Sequence, residues 1–344
     1  MTPSSAPRTL AVLTGGYSAE APVSRKSAAM VMAHIDRTRW QPILIDITPS
    51  GWAVADGRGT TLNRADFTLR HPDGSIQPFD GALVMVHGTP GEDGQIQAYL
   101  DLLAIPHTNG SPRSMALTFH KGWTTTLLRS AGIRVADSVM LQAGDPIDHQ
   151  AITDHVGGCP CFVKPNEAGS SFGVSRVASA EELPQAIATA FAACHGPGGI
   201  LIEALLPGRE FSVGVIPGAP SPSDSDNPPS PEALPVTEII SEADFFDYAA
   251  KYEGASQEIT PARIPEAIAA EMQALALRVY HITECRGLAR VDMKWSEAEM
   301  DLGPAVIEIN SVPGFTEHSL VPQQAEHAGI SRMELIDRIL SVQQ

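Results

Sequence analysis

Two rhythms of apolar and polar positions alternate along the first third of the chain. Short apolar runs at residues 10–13, 42–47 and 82–86 read as strands, the first ending on Gly15-Gly16. Between them Ala28, Val31, Met32 and Ile35 fall at i, i+3, i+4 and i+7, one face of a helix that Ser24 is placed to cap. Ile96, Tyr99, Leu100 and Leu103 form a second helical stripe. Strands alternating with helices predict a parallel α/β unit that binds ligands at its strand ends.

The rhythm then changes. A long helix is predicted over 114–131, followed by strands at 138–141 and 161–165 and the loop NEAGSSFG, residues 166–173. A further helix opens at Ser179 with a Ser179/Glu182 capping box. Strands at 200–203 and 210–216, a helix over 265–283, two strands ending near Trp295 and Asn310, and C-terminal helices complete the pattern. The stretch PGAPSPSDSDNPPSPEALP, residues 217–235, has too little apolar content to order itself and reads as a solvent loop between strands.

Length and composition narrow the class. A chain of 344 residues fits two or three packed units of roughly 100–150 residues, with clefts between them. An apolar content of 43% with 18% charged residues is that of a globular protein. No apolar run approaches the length of a membrane span, and no secretory leader is legible, so the expected location is the cytoplasm and no membrane partner is expected. Cys159, Cys161, Cys194 and Cys285 form no framework and read as structural thiols. The net charge of −17 argues against nucleic acid, which needs a basic face, and leaves a small-molecule substrate. The only lysines are Lys26, Lys121, Lys164, Lys251 and Lys294.

Candidate chemistry sits in the strands. In LARVDMKW, Leu288 to Trp295, and AVIEINSVPG, Ala305 to Gly314, alternation puts Arg290 and Asp292 on one face of a hairpin, and Glu308 and Asn310 on one face of its second strand. Val291, Met293, Ile307 and Ile309 then point into a core. Two carboxylates and an amide carbonyl make an oxygen-only set suited to Mg²⁺ bound with phosphates, and the arginine beside them suits an anion. A solvated polar face with Arg290 paired to Asp292 or Glu308 is the alternative. Lys164 ends an apolar strand and precedes Gly169-Ser170-Ser171, whose backbone N–H groups suit phosphate oxygens, although a Gly/Ser hairpin has the same look. Lys121 on a helix and Lys251 in DYAAKYEG add to the set. Glu203 and Glu210 flank IEALLPGREF, where they suit an adenine amino edge and ribose hydroxyls, or an ordinary strand and turn.

Six segments in one order resemble the D-alanine-D-alanine ligases over nearly the whole chain: GGYSAEAPVS, HGTPGEDG, VKPNEAGSSFGVS, FFDYAAKY, RVD and EINSVPGFTEHSLVP. The wording is similar to ligases of the Bacteroidetes type in particular. The resemblance implies an α/β protein with an N-terminal Rossmann-like parallel-sheet domain (1–115) and a two-part ATP-grasp fold, its central subdomain at 116–204 and its C-terminal subdomain at 205–344, with 216–235 a flexible loop. It implies ATP and two Mg²⁺, or Mn²⁺, as cofactors, D-alanine as substrate, and a homodimer. Lys121, Lys164, Ser170, Ser171, Glu203, Leu206, Glu210, Lys251 and Asn310 match the nucleotide contacts, and Asp292, Glu308 and Asn310 the metal ligands. Glu20, His87, Arg290, Gly314, Ser319 and Leu320 match the substrate contacts. Glu20, Ser170, Tyr252, Arg290, the Gly314 N–H and Ser319 match the catalytic groups, Arg290 and Gly314 forming the oxyanion hole. Three departures stand out: His120 before Lys121, Gly122 after it, and Glu317 bringing a carboxylate into the loop before Ser319.

The implied reaction joins two D-alanines through a D-alanyl phosphate, with the segment around Lys251 and Tyr252 as a lid. A related ligase with another acceptor, such as D-lactate, is the nearest alternative, and Tyr252 after Lys251 favours D-alanine. A catalytically silent nucleotide-binding module would not need Arg290, Asp292, Glu308 and Asn310 intact, and a dinucleotide-binding dehydrogenase lacks its further spaced glycine after Gly15-Gly16.

Overall fold

The computed structural model describes residues 6–169, 172–194, 196–219, 229–241 and 256–342. Its first sheet is built on β1 (Arg8–Gly15), flanked in parallel by β2 (Trp40–Thr48) and by β7 (Gly81–Val84), with β3 (Gly51–Val54) antiparallel at the edge. Three short strands, β4 (Thr61–Asn63), β5 (Thr68–Arg70) and β6 (Ile76–Gln77), form a separate small sheet before β7. Both faces of β1 are covered. Leu10 and Val12 pack on the helices Ala21–His34 and Arg332–Leu340, while Ala11 and Leu13 pack with Leu69 of β5 in the small sheet, with Phe67 in the turn before that strand, and with Ile96 and Leu100 of the helix Gln95–Leu102. Each fully buried side chain of this size contributes about 1.5–3 kcal/mol.

Ser24 does not cap its helix. The helix starts a turn earlier, at Ala21 with Pro22 in its first turn, so Ser24 lies inside it, buried, and donates to the Met85 carbonyl at 2.6 Å. Proline at a helix start needs no N–H partner, which outweighs the serine signal. The long helix expected over 114–131 is also two helices, Pro112–Phe119 and Lys121–Ser130. His120 between them is extended, and its ring Nδ1 accepts from the Trp123 N–H at 3.2 Å, so a histidine caps the second helix and places Lys121 at its first position.

The second sheet is antiparallel, in the order β10 (Ser175–Val177), β9 (Cys161–Pro165), β11 (Ile200–Ala204), β8 (Ser138–Leu141). One face packs on the helices His149–His155 and Leu183–Ala192 through Val163, Ile200, Ile152 and Ile187. The Ser179 signal resolves into a short 3-10 turn, Ala180–Glu182. Ser179 makes no cap bond, and Glu182 reaches back past it to the Ala178 N–H at 2.9 Å, so the expected box does not form.

The third sheet runs β15 (Ser256–Ile259), β14 (Thr237–Ser241), β12 (Arg209–Pro217), β16 (Ala289–Trp295), β17 (Ala305–Asn310), with β13 (Pro231–Ala233) added to β12. The helix Glu266–Ile282 seals one face by setting Met272, Ala276 and Val279 against Val213, Val291 and Met293. The expected loop over 217–235 is therefore shorter than its composition suggests. Pro217 pairs with Pro231, Gly218 N–H donates to the Ser230 carbonyl, and Leu234 is buried in the core shared with the first sheet. Residues 220–228 lie outside the described residues.

Candidate active site

The three large sheets meet at one cleft of about 790 Å³, a volume typical of small-molecule sites. Every described residue expected to act lines it: Glu20 and His87 from the first unit, Lys121, Lys164 and Glu203 from the second, Leu206, Glu210, Arg290, Asp292, Glu308 and Asn310 from the third, and Gly314, Ser319 and Leu320 from the loop after β17 and the helix that follows. Ser170, Ser171, Lys251 and Tyr252 lie outside the described residues. Lys26 and Lys294 line the cleft as well, so in a chain of net charge −17 every described lysine is at this one place.

Strand register explains the cleft floor. Arg290 stands opposite Asn310 and Asp292 opposite Glu308 across β16 and β17, and Ser212 of β12 lies on the other side of Asp292. Arg290 grips Asp292 with two nitrogens, at 2.9 and 2.7 Å. Asp292 also accepts from Ser212 Oγ at 2.7 Å and from Asn310 Nδ2 at 3.1 Å. A paired, hydrogen-bonded carboxylate tolerates burial that an isolated one would not. Ile307 departs from expectation. The pairing slips between Asp292 and Met293, leaving Ile307 without an opposite residue, so it is half-buried and lines the cleft while Val306 takes the core position beside Ile309. A bulge re-aims side chains in this way, and simple alternation does not reveal it.

The lysines are held by named partners. Lys164 Nζ lies 2.5 Å from Glu203 Oε1, joining two residues expected to contact opposite ends of a nucleotide. Lys294 Nζ lies 3.3 Å from Glu210 Oε2. Lys121 Nζ donates to the Ala168 carbonyl at 2.6 Å and stands 3.7 Å from Glu308. Its helix also bonds the start of the glycine loop, since Lys121 N–H donates to the Asn166 carbonyl and Gly122 N–H to Asn166 Oδ1 at 3.0 Å. Gly122 is what permits this approach, because a Cβ there would overlap the Met140 sulfur.

The first unit contributes a drier wall. His87 donates through Nδ1 to the Val312 carbonyl at 2.8 Å, so Nε2 carries no proton and accepts from Ser27 Oγ at 3.1 Å. Ser27 Oγ in turn accepts from the Phe315 N–H at 3.1 Å. Both ring nitrogens are thus engaged in holding the loop that presents Gly314, and burial pushes the ring toward its neutral form. Glu20 is pressed against Gly169 so closely that a Cβ there would overlap its carboxylate.

Pattern reading assigned no role to three further cleft residues. Glu92, within HGTPGEDG, accepts from the Gly88 N–H at 2.7 Å, and burial first, then the charge of Glu20, pushes its carboxyl up to about 8. Glu258 on β15 and Lys294 on β16 are the others. Alternation along strands already placed Lys294 on the face of Asp292, whereas nothing local marks Glu92 as buried. Glu317, the expected intruder, does not line the cleft: it is 63% exposed and pairs with Arg332 at 3.2 Å.

For a hard cation the available donors are Asp292, Glu308 and Asn310, all oxygen. Among the described residues no three His, Cys, Asp or Glu side chains gather to hold an ion. Mg²⁺ is commonly held by one or two carboxylates together with substrate phosphates rather than by a protein cage, and the oxygen donors of Asp292, Glu308 and Asn310 suit such a hard cation. Among the described residues no helix is long and apolar enough to cross a membrane.

Comparison with known proteins bears on the whole chain. The family model for the N-terminus of D-ala D-ala ligase matches residues 9–110, and that for its C-terminus matches residues 127–341. The D-alanine--D-alanine ligase of Flavobacterium johnsoniae is 39% identical, the match covering 97% of this chain and 99% of the relative. Among solved structures, the VanG D-Ala:D-Ser ligase of Enterococcus faecalis superposes with a TM-score of 0.82 at 29% identity, covering 98% of this chain and 99% of that one. The D-alanine--D-alanine ligase of Bacillus anthracis complexed with ATP does so with 0.75 at 27% identity, covering 98% and 97%.

Proposed function

This chain belongs to the D-alanine-D-alanine ligase family, and from that premise we propose that its central cleft uses ATP to join two D-alanines, by way of a D-alanyl phosphate, into a precursor for the cell wall. The observation that carries the reading is the cleft floor. Arg290, Asp292, Glu308 and Asn310 lie on one face of two paired strands, within the same cleft as Lys121 and Lys164.

Phosphoryl transfer asks a protein mainly for positioning and charge. Lys121 and Lys164 hold the nucleotide's phosphates, with Glu203, Leu206 and Glu210 against its adenine and ribose. Asp292, Glu308 and Asn310 hold Mg²⁺, which when bound neutralises phosphate charge and polarises phosphoryl oxygens. Glu20 takes the first D-alanine's ammonium, leaving its carboxylate to attack the γ-phosphorus. No covalent intermediate with the protein is needed. The second D-alanine, its carboxylate at Ser319 and Leu320, gives up an ammonium proton and attacks the acyl carbon through its amine, Arg290 with the Gly314 N–H stabilises the oxyanion, and inorganic phosphate leaves as the peptide bond forms. His87 acts by holding the loop that carries Gly314. Ser170, Lys251 and Tyr252, outside the described residues, enter the same scheme through the family resemblance alone. The reaction is placed in the cytoplasm, where ATP is at hand.

The test is phosphate release from ATP and Mg²⁺ with D-alanine, L-alanine or D-lactate, together with the product's mass. Release with D-alanine alone and a dipeptide mass supports the reading; release independent of D-alanine, or none, overturns it.

A further inference from the structure

For the second D-amino acid to attack, its nitrogen must be held as well as its carboxylate, and Ser319 and Leu320 account only for the carboxylate. A carboxyl group on the edge strand of the third sheet, Glu258, lines the same cleft. Across the strands Lys294 pairs with Glu210, Glu210 with Ile239, and Ile239 with Glu258. Directly opposed residues share a face, so Glu258 looks into the cleft from the same side as Arg290 and Asp292, and all of these residues line it.

Two further contacts fix its place. Glu258 Oε2 accepts from Gln323 Nε2 at 3.0 Å, and the same amide donates to the His318 carbonyl at 2.8 Å. Gln323 N–H bonds the Ser319 carbonyl at 3.2 Å, so Glu258 is tied to the first turn of the helix that begins with Leu320. The charges of Arg290, the residue assigned to the oxyanion, and of His318 also act on it. It is therefore tied to the turn that carries Ser319 and Leu320 and lies within electrostatic reach of Arg290. Of its two oxygens only Oε2 has a hydrogen-bond partner among the described residues.

We propose that Glu258 anchors the amine of the acceptor D-amino acid, and so selects amine-bearing acceptors over hydroxy acids. The inference rests on the ligase reading. Burial keeps this carboxyl above its ordinary range while Gln323, Arg290 and His318 pull it back only in part, and an incoming ammonium adds a further opposite charge at short range. A hydroxy acid offers no charge to it.

The experiment separates the two D-alanine subsites by steady-state kinetics and measures the product ratio from D-alanine and D-lactate in competition, for the wild type, Glu258→Gln and Glu258→Asp. Glu258→Gln is expected to raise the acceptor KM about tenfold or more. The donor and ATP KM values stay within about twofold, and the product ratio moves toward the D-lactate ester. Glu258→Asp recovers part of the loss. An unmoved acceptor KM, or donor and acceptor KM values rising together, overturns the role. Should Glu258→Gln fail to fold, Glu258→Asp decides alone: a severalfold rise confined to the acceptor supports the anchor, and no rise removes it. A wild type that forms no dipeptide defeats the ligase reading itself, whereas a wild type that does, with variants unchanged, defeats only Glu258.

Discussion

The two walls of the cleft are both largely closed to water, yet they handle ionisable groups in opposite ways. On the third sheet, Arg290, Asp292, Asn310 and Ser212 come from three adjacent strands, and the burial of Asp292 is offset by partners along its own strand and on both neighbours. On the first unit, His87 and Glu92 sit on the loop after β7, and burial drives both toward neutrality. Low dielectric thus stabilises charge where a sheet delivers the opposite charge, and removes charge where a loop does not.

The difference can be broken from either side. Arg290→Ala takes the cation from the ionic wall and should have the largest effect, a fall in D-alanine-dependent phosphate release of roughly 10²–10³, about 3–4 kcal/mol in the barrier. Near-normal turnover in a folded variant would remove the oxyanion role.

Glu92→Gln sharpens the contrast through pH. The folded carboxyl, at about 8, lies above its unfolded value of 4.5. Its contribution to stability is therefore complete below about pH 4.5, falls as the pH rises because the unfolded chain releases the proton first, and is lost above about pH 8. At up to about 1.4 kcal/mol per pH unit, the variant should gain roughly 2–3 kcal/mol on the wild type between about pH 6 and pH 8. Parallel curves of Tm against pH for the two proteins would place Glu92 in water. Ser212→Ala removes one of several partners of Asp292 and should cost about 1 kcal/mol in denaturant unfolding, with no dependence on pH in that range. An unchanged unfolding free energy would remove Ser212 from the support of Asp292. Glu317→Ser should do least, under about 0.5 kcal/mol and with no change in acceptor KM, because its pair with Arg332 is exposed. A changed acceptor KM would return Glu317 to the pocket.

Legibility in the sequence follows the same division. Alternation placed Arg290, Asp292, Glu308 and Asn310 on one face because strand geometry is periodic and local. The alternating strands and helices of the first unit were legible for the same reason, and they form the parallel sheet around β1. What escaped is either aperiodic or depends on neighbours distant in sequence. His120 ends one helix and caps the next, and nothing periodic marks that break. The slip that turns Ile307 toward the cleft is a property of two strands together. Ser24 lost its capping role to Pro22, and residues 231–233 became a strand because β12 offered an edge that their own composition does not announce. Glu92 is acidic by composition and protonated by burial, and burial is the quantity a single chain of letters least reveals.

The concentration of lysine in the cleft reaches beyond binding. The outer surface, as far as it is described, offers no lysine side chain away from the cleft, where Lys26 lies at an exposed position and Lys121, Lys164 and Lys294 lie further in. Acylating dyes and activated resins, which seek primary amines, would thus find their side-chain targets where turnover takes place. Coupling by that chemistry would silence the protein, prior loading with nucleotide would shield it, and tethering for single-molecule or sensor work is better directed at carboxylates, which the exterior has in excess.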